Sequence, residues 1–513
     1  MKIVSVAEMV QLEKDANNCG ISYDVMMNHA GMGVAAWLKS NQGLDQGVAG
    51  LIGSGNNGGD TIIALTSLAR HNIRTYGLLV KERPDDPLLV EYRQAGGTIV
   101  DISGGENFSQ LQAVLSQKVI VLDGMLGTGF RLPLRGPLAD LMARIHIMVG
   151  NLPETRIIAV DCPSGVDCDT GEVSEETLQA KTTLTMAAVK QGLLKYPARG
   201  FCGDIHLIEI GIPMGELTKR LTLPELIDGE MINSFLPKRS EMGHKGTFGT
   251  CMVVAGTEPY TGAAYLAGKA AYRAGCGLVN AATLSSVRDV LAGNLIEAIW
   301  TGLPEKNGGY DPAGVEMLQP LFNKTNSLVL GPGWGLSDSN AAFLMALLQS
   351  LPEKLPTIID ADALKLLSAI DSWWKLIPKE TVLTPHPGEM SVLSGIPIAN
   401  IEENRWELTK TFAQKWGVSL VLKGAMTVIG LPNGQAYVNP VGESALATAG
   451  SGDVLSGLIG GLMAQGVPSD KAAILGVWCH AKAGQSAHAA IGSAAGVTAL
   501  DILEQVGGEN NGN

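Results

Sequence analysis

An apolar run leads directly into a glycine-rich acidic loop in the stretch VAGLIGSGNNGGD, residues 48–60. A second, unrelated stretch of this kind, GSGDVLSGLI, occupies residues 450–459. Both are typical of a turn that leads into a helix, where glycines let backbone N–H groups approach an anion at the helix N-terminus. Each loop ends in an aspartate, Asp60 or Asp453, which is a candidate base or cation ligand beside that anion. Two such sites predict two catalytic domains.

The composition is that of a globular α/β protein without a nucleic-acid-binding surface. Hydrophobic residues make up 46% and charged residues 17% of the chain, and its 64 glycines cluster at the ends of apolar runs. Its 513 residues exceed one ordinary hydrophobic core, which predicts two or three domains. The net charge of −13 and the lack of a basic stripe predict no nucleic-acid partner.

The cysteines and the first residues predict a cytoplasmic location. Seven cysteines are scattered without a CxxC pair or a zinc-like spacing, which favours reduced thiols. Glu8 occurs too early for a signal peptide, and no apolar run has the length of a membrane span. We therefore expect no membrane partner.

Continuous apolar runs predict the strands of the first domain, which we place at residues 1–220. Runs of this kind indicate strands buried on both faces, and helical stretches between them predict a doubly wound parallel sheet. Residues 5–40, before these strands, have an amphipathic helical pattern. The runs occupy residues 48–52, 73–80, 119–122, 157–160, 182–186 and 205–210.

A second series of strands begins after Pro213 and defines a domain at residues 221–513. Residues 223–238 are interpreted as a linker, and Pro432-Asn433-Gly434 predicts a hairpin turn. The chain from Asp453 onward is predicted to be helical. The strands are predicted at residues 251–255, 278–282, 327–330, 357–359, 381–383, 420–422 and 427–429.

Three aspartates of the first domain lie at or just past strand ends. Asp60 closes the glycine loop, and Asp123 and Asp161 each follow a predicted strand. Groups at the carboxyl ends of parallel strands meet in one crevice. Asn57, Asp123 and Ser164 offer only oxygen atoms, which a hard cation prefers. The alternative is that all of these residues are merely helix caps and strand-end turns.

These motifs resemble the NAD(P)H-hydrate epimerase family over roughly residues 1–215, with NNGGD at 56–60, GTG at 127–129 and DCPSGVD at 161–167. The resemblance implies a Rossmann-like fold and interconversion of the R and S epimers of hydrated NADH or NADPH at C6. It implies that Asn57, Asp123 and Ser164 bind potassium, and that Asp161 is catalytic and contacts the nicotinamide hydrate. It implies substrate binding by Asn56, Asn57, Gly58, Gly59, Asp60, Gly127, Thr128, Gly129, Phe130, Arg131, Leu132, Pro133 and Asp161.

Three positions depart from the usual sequence of that family. Thr61 replaces a glycine, Gly124-Met125-Leu126 replaces Ala-Leu-Phe, and Cys162 replaces an isoleucine. The polar residues are all kept. We therefore expect the departures to change only the shape of the pocket.

The second loop, Gly450-Ser451-Gly452-Asp453, predicts an anion hole of three backbone N–H groups beside a general base. By itself the motif is more typical of a capped helix. Residues 384–389, TPHPGE, present His386, for which a structural role between two prolines is the alternative. Residues 423–427, KGAMT, supply a backbone turn and a hydroxyl near where a nucleotide could lie, and Asp360 and Asp362 follow another strand.

Together with HKGTFG at 244–249 and TGAA at 261–264, these motifs resemble the NAD(P)H-hydrate dehydratase family over roughly residues 225–505. The resemblance implies a ribokinase-like α/β fold, with Asp453 as the catalytic base. The hydrate is expected to contact Ala263, Gly333, His386 and Asp453. The adenine nucleotide is expected to contact Lys423, Gly424, Ala425, Met426, Thr427 and Gly452. Trp334 stands where leucine is more usual, and we expect it to change the size of the pocket.

The tandem order resembles that of bifunctional bacterial repair enzymes, which use ADP. It implies NADHX and NADPHX (the hydrates of NADH and NADPH) and ADP as substrates, AMP and phosphate as products, and magnesium as a possible companion of the nucleotide. Transfer of a phosphoryl group to the C6 hydroxyl would turn a poor leaving group into a good one. Small-residue helix faces such as residues 262–274 allow close packing within or between subunits, and we expect a homo-oligomer.

Two alternatives remain at this stage. A ribokinase-like small-molecule kinase fused to a nucleotide-binding domain would share the GSGD motif, although residues 384–389 and 423–427 favour the dehydratase. A non-catalytic scaffold would share the first fold. Such a scaffold would not need Asp60, Asp123 and Asp161 together.

Overall fold

The computed structural model describes residues 1–104, 107–217 and 223–507. The chain divides into two compact units, Met1–Leu223 and Pro224–Asn513. Both are built around a mainly parallel sheet, which confirms the predicted α/β folds, Rossmann-like in the first unit and ribokinase-like in the second. None of the helices in the described ranges is long and apolar enough to cross a membrane.

The first unit contains a seven-stranded parallel sheet between two layers of helices. Neighbouring side chains of one strand enter different hydrophobic clusters: Val48 and Ile52 pack in one, Ala49 and Leu51 in the other. This burial on both faces explains why the strand is a continuous apolar run. The sheet order is β4-β3-β2-β5-β6-β7-β9, and β1 pairs separately with β8.

The strands of this unit are β1 (Ile3–Val4), β2 (Val48–Ile52), β3 (Thr75–Leu79), β4 (Thr98–Asp101), β5 (Ile120–Gly124), β6 (Arg156–Val160), β7 (Thr182–Met186), β8 (Val189–Lys190) and β9 (Asp204–Ile208). The helices are α1 (Val6–Asn18), α2 (Tyr23–Asn41), α3 (Asn56–Arg70), α4 (Pro87–Gln94), α5 (Phe108–Leu115), α6 (Pro137–Gly150), α7 (Arg199–Cys202) and α8 (Met214–Leu217).

The second unit contains a ten-stranded sheet in the order β10-β21-β20-β19-β18-β17-β16-β11-β12-β13. Its strands run parallel except at β19-β20-β21, which are antiparallel. The predicted turn at Pro432-Asn433-Gly434 joins β20 to β21 and is confirmed. The carboxyl ends of β11, β16, β17, β18 and β19 therefore lie along one edge of the sheet.

Its strands are β10 (Glu225–Leu226), β11 (Thr250–Val254), β12 (Leu278–Leu284), β13 (Ile299–Leu303), β14 (Glu305–Lys306), β15 (Gly309–Tyr310), β16 (Ser327–Leu330), β17 (Thr357–Ile359), β18 (Thr381–Leu383), β19 (Ser419–Leu422), β20 (Val428–Gly430) and β21 (Ala436–Val438). Its helices are α9 (Gly229–Phe235), α10 (Thr261–Arg273), α11 (Ser285–Leu291), α12 (Val315–Phe322), α13 (Asp338–Ser350), α14 (Asp362–Leu367), α15 (Pro387–Ser394), α16 (Ile398–Glu403), α17 (Arg405–Trp416), α18 (Ser451–Ala464), α19 (Ser469–Ile491) and α20 (Ala499–Gln505).

Part of the sequence interpretation was wrong at the sheet edges. Residues 223–238 are not a linker, because β10 joins the sheet beside β21 and α9 follows it, capped by Asp228. The sequence also missed β4 and β13. Both are edge strands with exposed or half-buried positions, so neither forms a continuous apolar run.

The small-residue face of α10 packs within the second unit, against α18. A Cβ on Gly457 would lie 2.1 Å from the backbone oxygen of Ala267, and one on Gly461 would lie 2.4 Å from that of Ala271. The two backbones are thus close enough to exclude any side chain at these glycines. This packing accounts for the small residues of α10 without a second subunit.

Candidate active sites

The three residues predicted to bind a cation, Asn57, Asp123 and Ser164, lie together at the end of β5. The Ser164 hydroxyl donates to Asp123 Oδ1 at 2.5 Å, and the Ser164 amide donates to Asp123 Oδ2 at 2.8 Å. Asn57 is connected to them through Leu126, whose backbone oxygen accepts from Asn57 Nδ2 at 2.9 Å and whose amide donates to Ser164 Oγ at 2.9 Å. All three predicted residues are buried.

The chemistry of this group fits a monovalent cation. Asn57 Oδ1 is buried and has no hydrogen-bond partner among the described residues, so an oxygen is left to face an ion. Asp123 supplies the one formal charge, and burial raises the pKa of its carboxyl above the ordinary value. Within the described ranges, no cluster of three or more His, Cys, Asp and Glu side chains could hold a metal.

The glycine loop after β2 is tightly packed and braced by an arginine that the sequence analysis missed. A Cβ on Gly53 would lie 1.9 Å from the backbone oxygen of Met125, and one on Gly58 would lie 2.1 Å from that of Gly53. Arg83 Nη1 donates to the backbone oxygens of Gly53, at 2.7 Å, and of Gly55, at 3.1 Å. Arg83 thus fixes the loop, while the first amides of α3, which have no intrahelical acceptors, can bind a ligand.

Asp161 is held in a strained conformation beside a buried lysine. Its φ of 65° lies in the left-handed region, which a non-glycine residue adopts at a cost. Its carboxylate accepts from the Met186 amide at 3.0 Å and forms an ion pair with Lys190, whose side chain is only 1% exposed. The sequence analysis missed Lys190, although a lysine directly after the apolar strands 182–189 was a visible signal.

Two further carboxyl groups face this ion pair. Asp60 lies in the first turn and a half of α3 rather than in the loop, and it is buried. Burial, and then Asp161 and Glu13, raise its pKa well above the ordinary value, while Lys190 lowers it. Burial also raises the pKa of Glu13, a residue of α1 that the sequence analysis missed. Three carboxyl groups therefore share one ammonium group, which favours a protonated Asp60.

The two ends of segment 127–133, which was predicted to bind the substrate, lie in different environments. At its start, a Cβ on Gly127 would contact the Cβ of Asn57 at 3.4 Å, so this end adjoins the cation group. At its other end, Leu132 and Pro133 line an open cleft with Glu172 and Pro197.

In the second unit, the GSGD loop forms the start of α18. Gly450 has a φ of 84°, which glycine adopts without strain, and the helix begins at Ser451. The amide of Ser451 donates to the backbone oxygen of Thr448 at 3.3 Å. The predicted three-amide anion hole is thus reduced to the amides of Gly452 and Asp453, which helix geometry leaves without intrahelical acceptors.

Asp453 lies in a strongly charged environment at this helix start. Burial, and next the carboxylate of Asp360, raise the pKa of Asp453 to about 7, and Lys423 opposes the rise. Asp360 in turn accepts from Lys423 Nζ at 2.9 Å and from the Ser456 hydroxyl at 2.6 Å. A carboxyl group with a pKa near neutrality is well matched to proton removal under ordinary conditions.

His386 caps a helix and remains half exposed. Its Nδ1 accepts from the amides of Gly388, at 3.0 Å, and Glu389, at 3.3 Å, and Glu389 Oε2 accepts from the His386 amide at 2.9 Å. The structural alternative for His386 is therefore realised. It does not exclude a ligand, because the cap fixes the ring while 51% of the side chain stays exposed.

The structure brings Ala263 and Gly333 together. A Cβ on Gly333 would lie 2.8 Å from that of Ala263, and the Thr257 hydroxyl donates to the Gly333 backbone oxygen at 2.9 Å. Asp362 accepts from the Gly335 amide at 2.8 Å, which fixes the same loop.

Trp334, expected to change the pocket, instead lies in the core. Its side chain is buried, its Nε1 donates to the Val254 backbone oxygen at 2.8 Å, and it packs against Tyr310 and Phe343. The expectation failed because residues next to one another in a loop can point in opposite directions.

An arginine that the sequence analysis missed supports the turn at residues 423–427. Arg405 Nη2 donates to the backbone oxygens of Leu422 and Lys423, both at 3.0 Å. A Cβ on Gly424 would lie 2.5 Å from the same nitrogen. The Thr427 hydroxyl donates to the Gly424 backbone oxygen at 3.2 Å and closes the turn.

Comparison with known proteins places both units in one family. Residues 23–192 match the family model of the YjeF-related protein N-terminus, and residues 251–506 match that of NAD(P)H-hydrate dehydratase. The bifunctional NAD(P)H-hydrate repair enzyme of Moorella thermoacetica is 35% identical, over 98% of this chain and 96% of that protein. The chain belongs to the bifunctional NAD(P)H-hydrate repair enzymes. The resemblance predicted from the motifs is thereby confirmed.

A second bifunctional repair enzyme matches over a similar length, and a dehydratase of known structure matches about half of the chain. The repair enzyme of Coxiella burnetii is 30% identical, over 96% of this chain and 96% of that protein. The ADP/ATP-dependent NAD(P)H-hydrate dehydratase of Bacillus subtilis, crystallised with ATP and Mg²⁺, is 28% identical and covers 55% of this chain and 96% of its own, with a TM-score of 0.46. A lone kinase or scaffold would not account for a family match along nearly the whole chain.

Proposed function

We propose that this chain repairs hydrated nicotinamide cofactors, epimerising R and S NADHX and NADPHX in its first unit and dehydrating the S epimer in its second. The observation that carries the proposal is that each unit places a half-buried carboxyl group beside a tightly packed glycine turn: Asp161 near residues 53–60, and Asp453 within residues 450–453. The two activities complement each other, because a dehydratase that accepts one epimer needs an epimerase to use the whole pool.

In the dehydration, Asp453 removes the proton of the C6 hydroxyl. The hydroxyl oxygen then attacks the β-phosphorus of ADP, the bond to AMP breaks, and the amides of Gly452 and Asp453 stabilise the charge that develops. The electrons of N1 expel phosphate from C6, and loss of a proton from C5 restores the dihydropyridine. Ala263, Gly333 and His386 contact the hydrate, and residues 423–427 with Gly452 contact the nucleotide, which enters with magnesium.

In the epimerisation, Asp161 removes the proton of the C6 hydroxyl. The C6–N1 bond breaks to give an aldehyde, and the nitrogen takes the proton from Asp161. Rotation about C5–C6 and the reverse steps close the ring on the opposite face. Lys190 lies too deeply buried to reach the substrate, so its role is to fix the position of the Asp161 carboxylate through their ion pair. Asp60, protonated, donates a hydrogen bond to the substrate held by residues 56–60 and 127–133.

We further propose that Asn57, Asp123 and Ser164 hold a potassium ion beside that substrate. Bound there, the cation would lessen the repulsion between the substrate phosphates and the Asp161 carboxylate. One formal charge among the ligands is too little to offset the dehydration of Mg²⁺. The unpartnered Asn57 Oδ1 supports this assignment.

The cation proposal predicts faster epimerisation in potassium than in sodium or choline buffer at one ionic strength, with a chelator present. Asp123→Ala should remove the potassium response and weaken substrate binding, since it removes the one charge. Equal rates in all three buffers would mean that the group is only a set of strand-end turns.

The function is tested by incubating the purified chain with mixed epimers of NADPH hydrate and ADP. We expect the absorbance of NADPH to return in full, with one AMP and one phosphate formed for each NADPH. Hydrate that stays unchanged, while another small-molecule alcohol is phosphorylated, would favour the kinase alternative.

The remaining expectations concern the location of the protein in the cell, the domain boundaries and the oligomeric state. Six of the seven cysteines are buried and Cys19 is exposed. The reduced thiols and the cytoplasmic location stay predictions. The assignment of the activities to residues 1–220 and 221–513, and the homo-oligomer, stay predictions.

A further inference from the structure

Lys423, which the family resemblance assigns to the nucleotide, has its ammonium group directed at three carboxyl groups instead. Nζ lies 2.9 Å from Asp360 Oδ1 and 3.9 Å from Glu389 Oε2. A Cβ on Gly452 would lie 3.4 Å from Nζ, so the ammonium group lies beneath the first turn of α18, next to Asp453. Three separate segments of the fold therefore converge on one lysine: the end of β17, helix α15 and the start of α18.

The ion pair at the centre of this group is fixed, with Asp360 buried and the Lys423 side chain 21% exposed. Asp360 is 1% exposed, and its second oxygen accepts from the Ser456 hydroxyl at 2.6 Å. Burial, which lowers the pKa of Lys423, is outweighed by Asp360 and Glu389, so the ammonium group stays charged. A side chain with all of its charge committed to Asp360 and Glu389 has little freedom to follow a nucleotide.

Other titratable groups also face the start of α18. Asp362, from α14, raises the pKa of Asp453, though less than Asp360 does. His480, from α19, lies 3.1 Å from the Ser451 hydroxyl, and burial lowers its pKa to about 4, so the ring is neutral near pH 7. Lys423 is therefore the one cation among the groups that act on Asp453 in the described structure.

We propose that Lys423 is a positioning residue that holds Asp453 ready to accept a proton through its ion pair with Asp360, while the backbone of residues 423–427 contacts the nucleotide. The inference rests on the proposed role of Asp453 as the base. An opposite charge within about 4–6 Å typically changes a carboxyl pKa by 1–3. Without Lys423, Asp453 would be protonated at neutral pH and could not accept the hydroxyl proton.

The experiment is the pH dependence of kcat/KM for dehydration by the full chain, which reports the base in the free enzyme. The acidic limb of this profile is the pH range in which the rate falls because the base becomes protonated. Lys423→Met should move that limb to higher pH by about one unit or more, because the attraction between the cation and the Asp453 carboxylate is lost. Asp360→Asn should move it down, because a repelling carboxylate is lost. Lys423→Arg keeps the charge and should keep the limb near that of the unmodified chain.

Two further variants separate this role from a general loss of structure. Lys379→Met makes the same chemical change in an exposed ion pair with Glu353 and should leave the limb in place. The double variant Lys423→Met/Asp360→Asn removes both charges of the ion pair and should return the acidic limb toward its original position. It leaves no unpaired charge, so it should fold even if Lys423→Met alone does not.

A raised KM for ADP with an unmoved limb in Lys423→Met would overturn the proposal and make Lys423 a nucleotide contact. Limbs that move in the same direction in Lys423→Met and Asp360→Asn would also overturn it. Asp453→Asn distinguishes a wrong assignment of the base from a wrong role for Lys423. If that variant dehydrates normally, the proposed base is wrong; if it is inactive and the limb of Lys423→Met is unmoved, only the positioning role is wrong.

Discussion

At the scale of single residues, two departures from the usual family sequence compensate each other. Thr61 stands where glycine is usual, and its hydroxyl donates to the Asn57 backbone oxygen at 2.8 Å. A Cβ on Gly124 would lie only 2.0 Å from that hydroxyl oxygen. The glycine at 124 is thus the partner of the threonine at 61, and the two changes together preserve the backbone next to Asp123.

This pairing predicts a strong coupling in a double-mutant cycle. Gly124→Ala alone should cost about 1–3 kcal/mol in the free energy of unfolding, because the new methyl group overlaps Thr61. In a Thr61→Gly background the same substitution should cost much less, with a coupling of about 1 kcal/mol or more. Denaturant unfolding of the four proteins measures it, and additive effects would contradict the explanation.

At the scale of elements, the start of α18 is fixed by its packing on α10. The glycines of α18 let the two backbones approach until no side chain fits between them. Because Asp453 and the anion-binding amides lie in the first turn of α18, the same packing positions the chemistry. The GSGD motif alone could not ensure this, since the position of a helix depends on its neighbours.

The packing predicts opposite effects for two Gly→Ala substitutions. Gly457→Ala should lower stability by about 1–3 kcal/mol, because its Cβ would lie 2.1 Å from the Ala267 backbone oxygen. Gly262→Ala, in α10 with no atom within 4 Å of the added Cβ, should be neutral or stabilise by up to about 1 kcal/mol. Thermal unfolding compares them, and equal effects would rule out the tight contact as the cause.

At the scale of the whole molecule, each of the two units carries the groups proposed for its own reaction. Asp161 is paired with Lys190 in the first unit, and Asp453 is grouped with Asp360 and Lys423 in the second. Because the groups proposed for each reaction lie in one unit, a lesion in one unit should leave the chemistry of the other intact.

This separation predicts that two variants, each lacking one of the two activities, complement each other. Asp161→Asn should dehydrate only the S epimer, and Asp453→Asn should epimerise without forming NADPH. Loss of a general base typically costs about 100- to 10,000-fold in rate. A mixture of the two proteins should convert both epimers, as followed by chromatography. Failure of the mixture, with each single activity present, would show that substrate must pass within one chain.

The sequence by itself determined the parts of this protein that have a local signal. Strands buried on both faces appear as continuous apolar runs, and loops that only glycine can form appear as glycine-rich motifs. The sheets, the two loops and the approximate positions of Asp123, Asp161 and Asp453 could therefore be predicted. The short edge strands β4 and β13 could not, because exposure on one side removes the apolar run.

Only the tertiary structure decided which distant side chains meet. The pairs Asp161–Lys190 and Asp360–Lys423 join different strand ends, and no spacing in the sequence marks them. The structure also placed Trp334 in the core and reduced the anion hole to two amides. These outcomes depend on the direction of each side chain and on which backbone groups are already bonded, and both are fixed only when the packed elements come together.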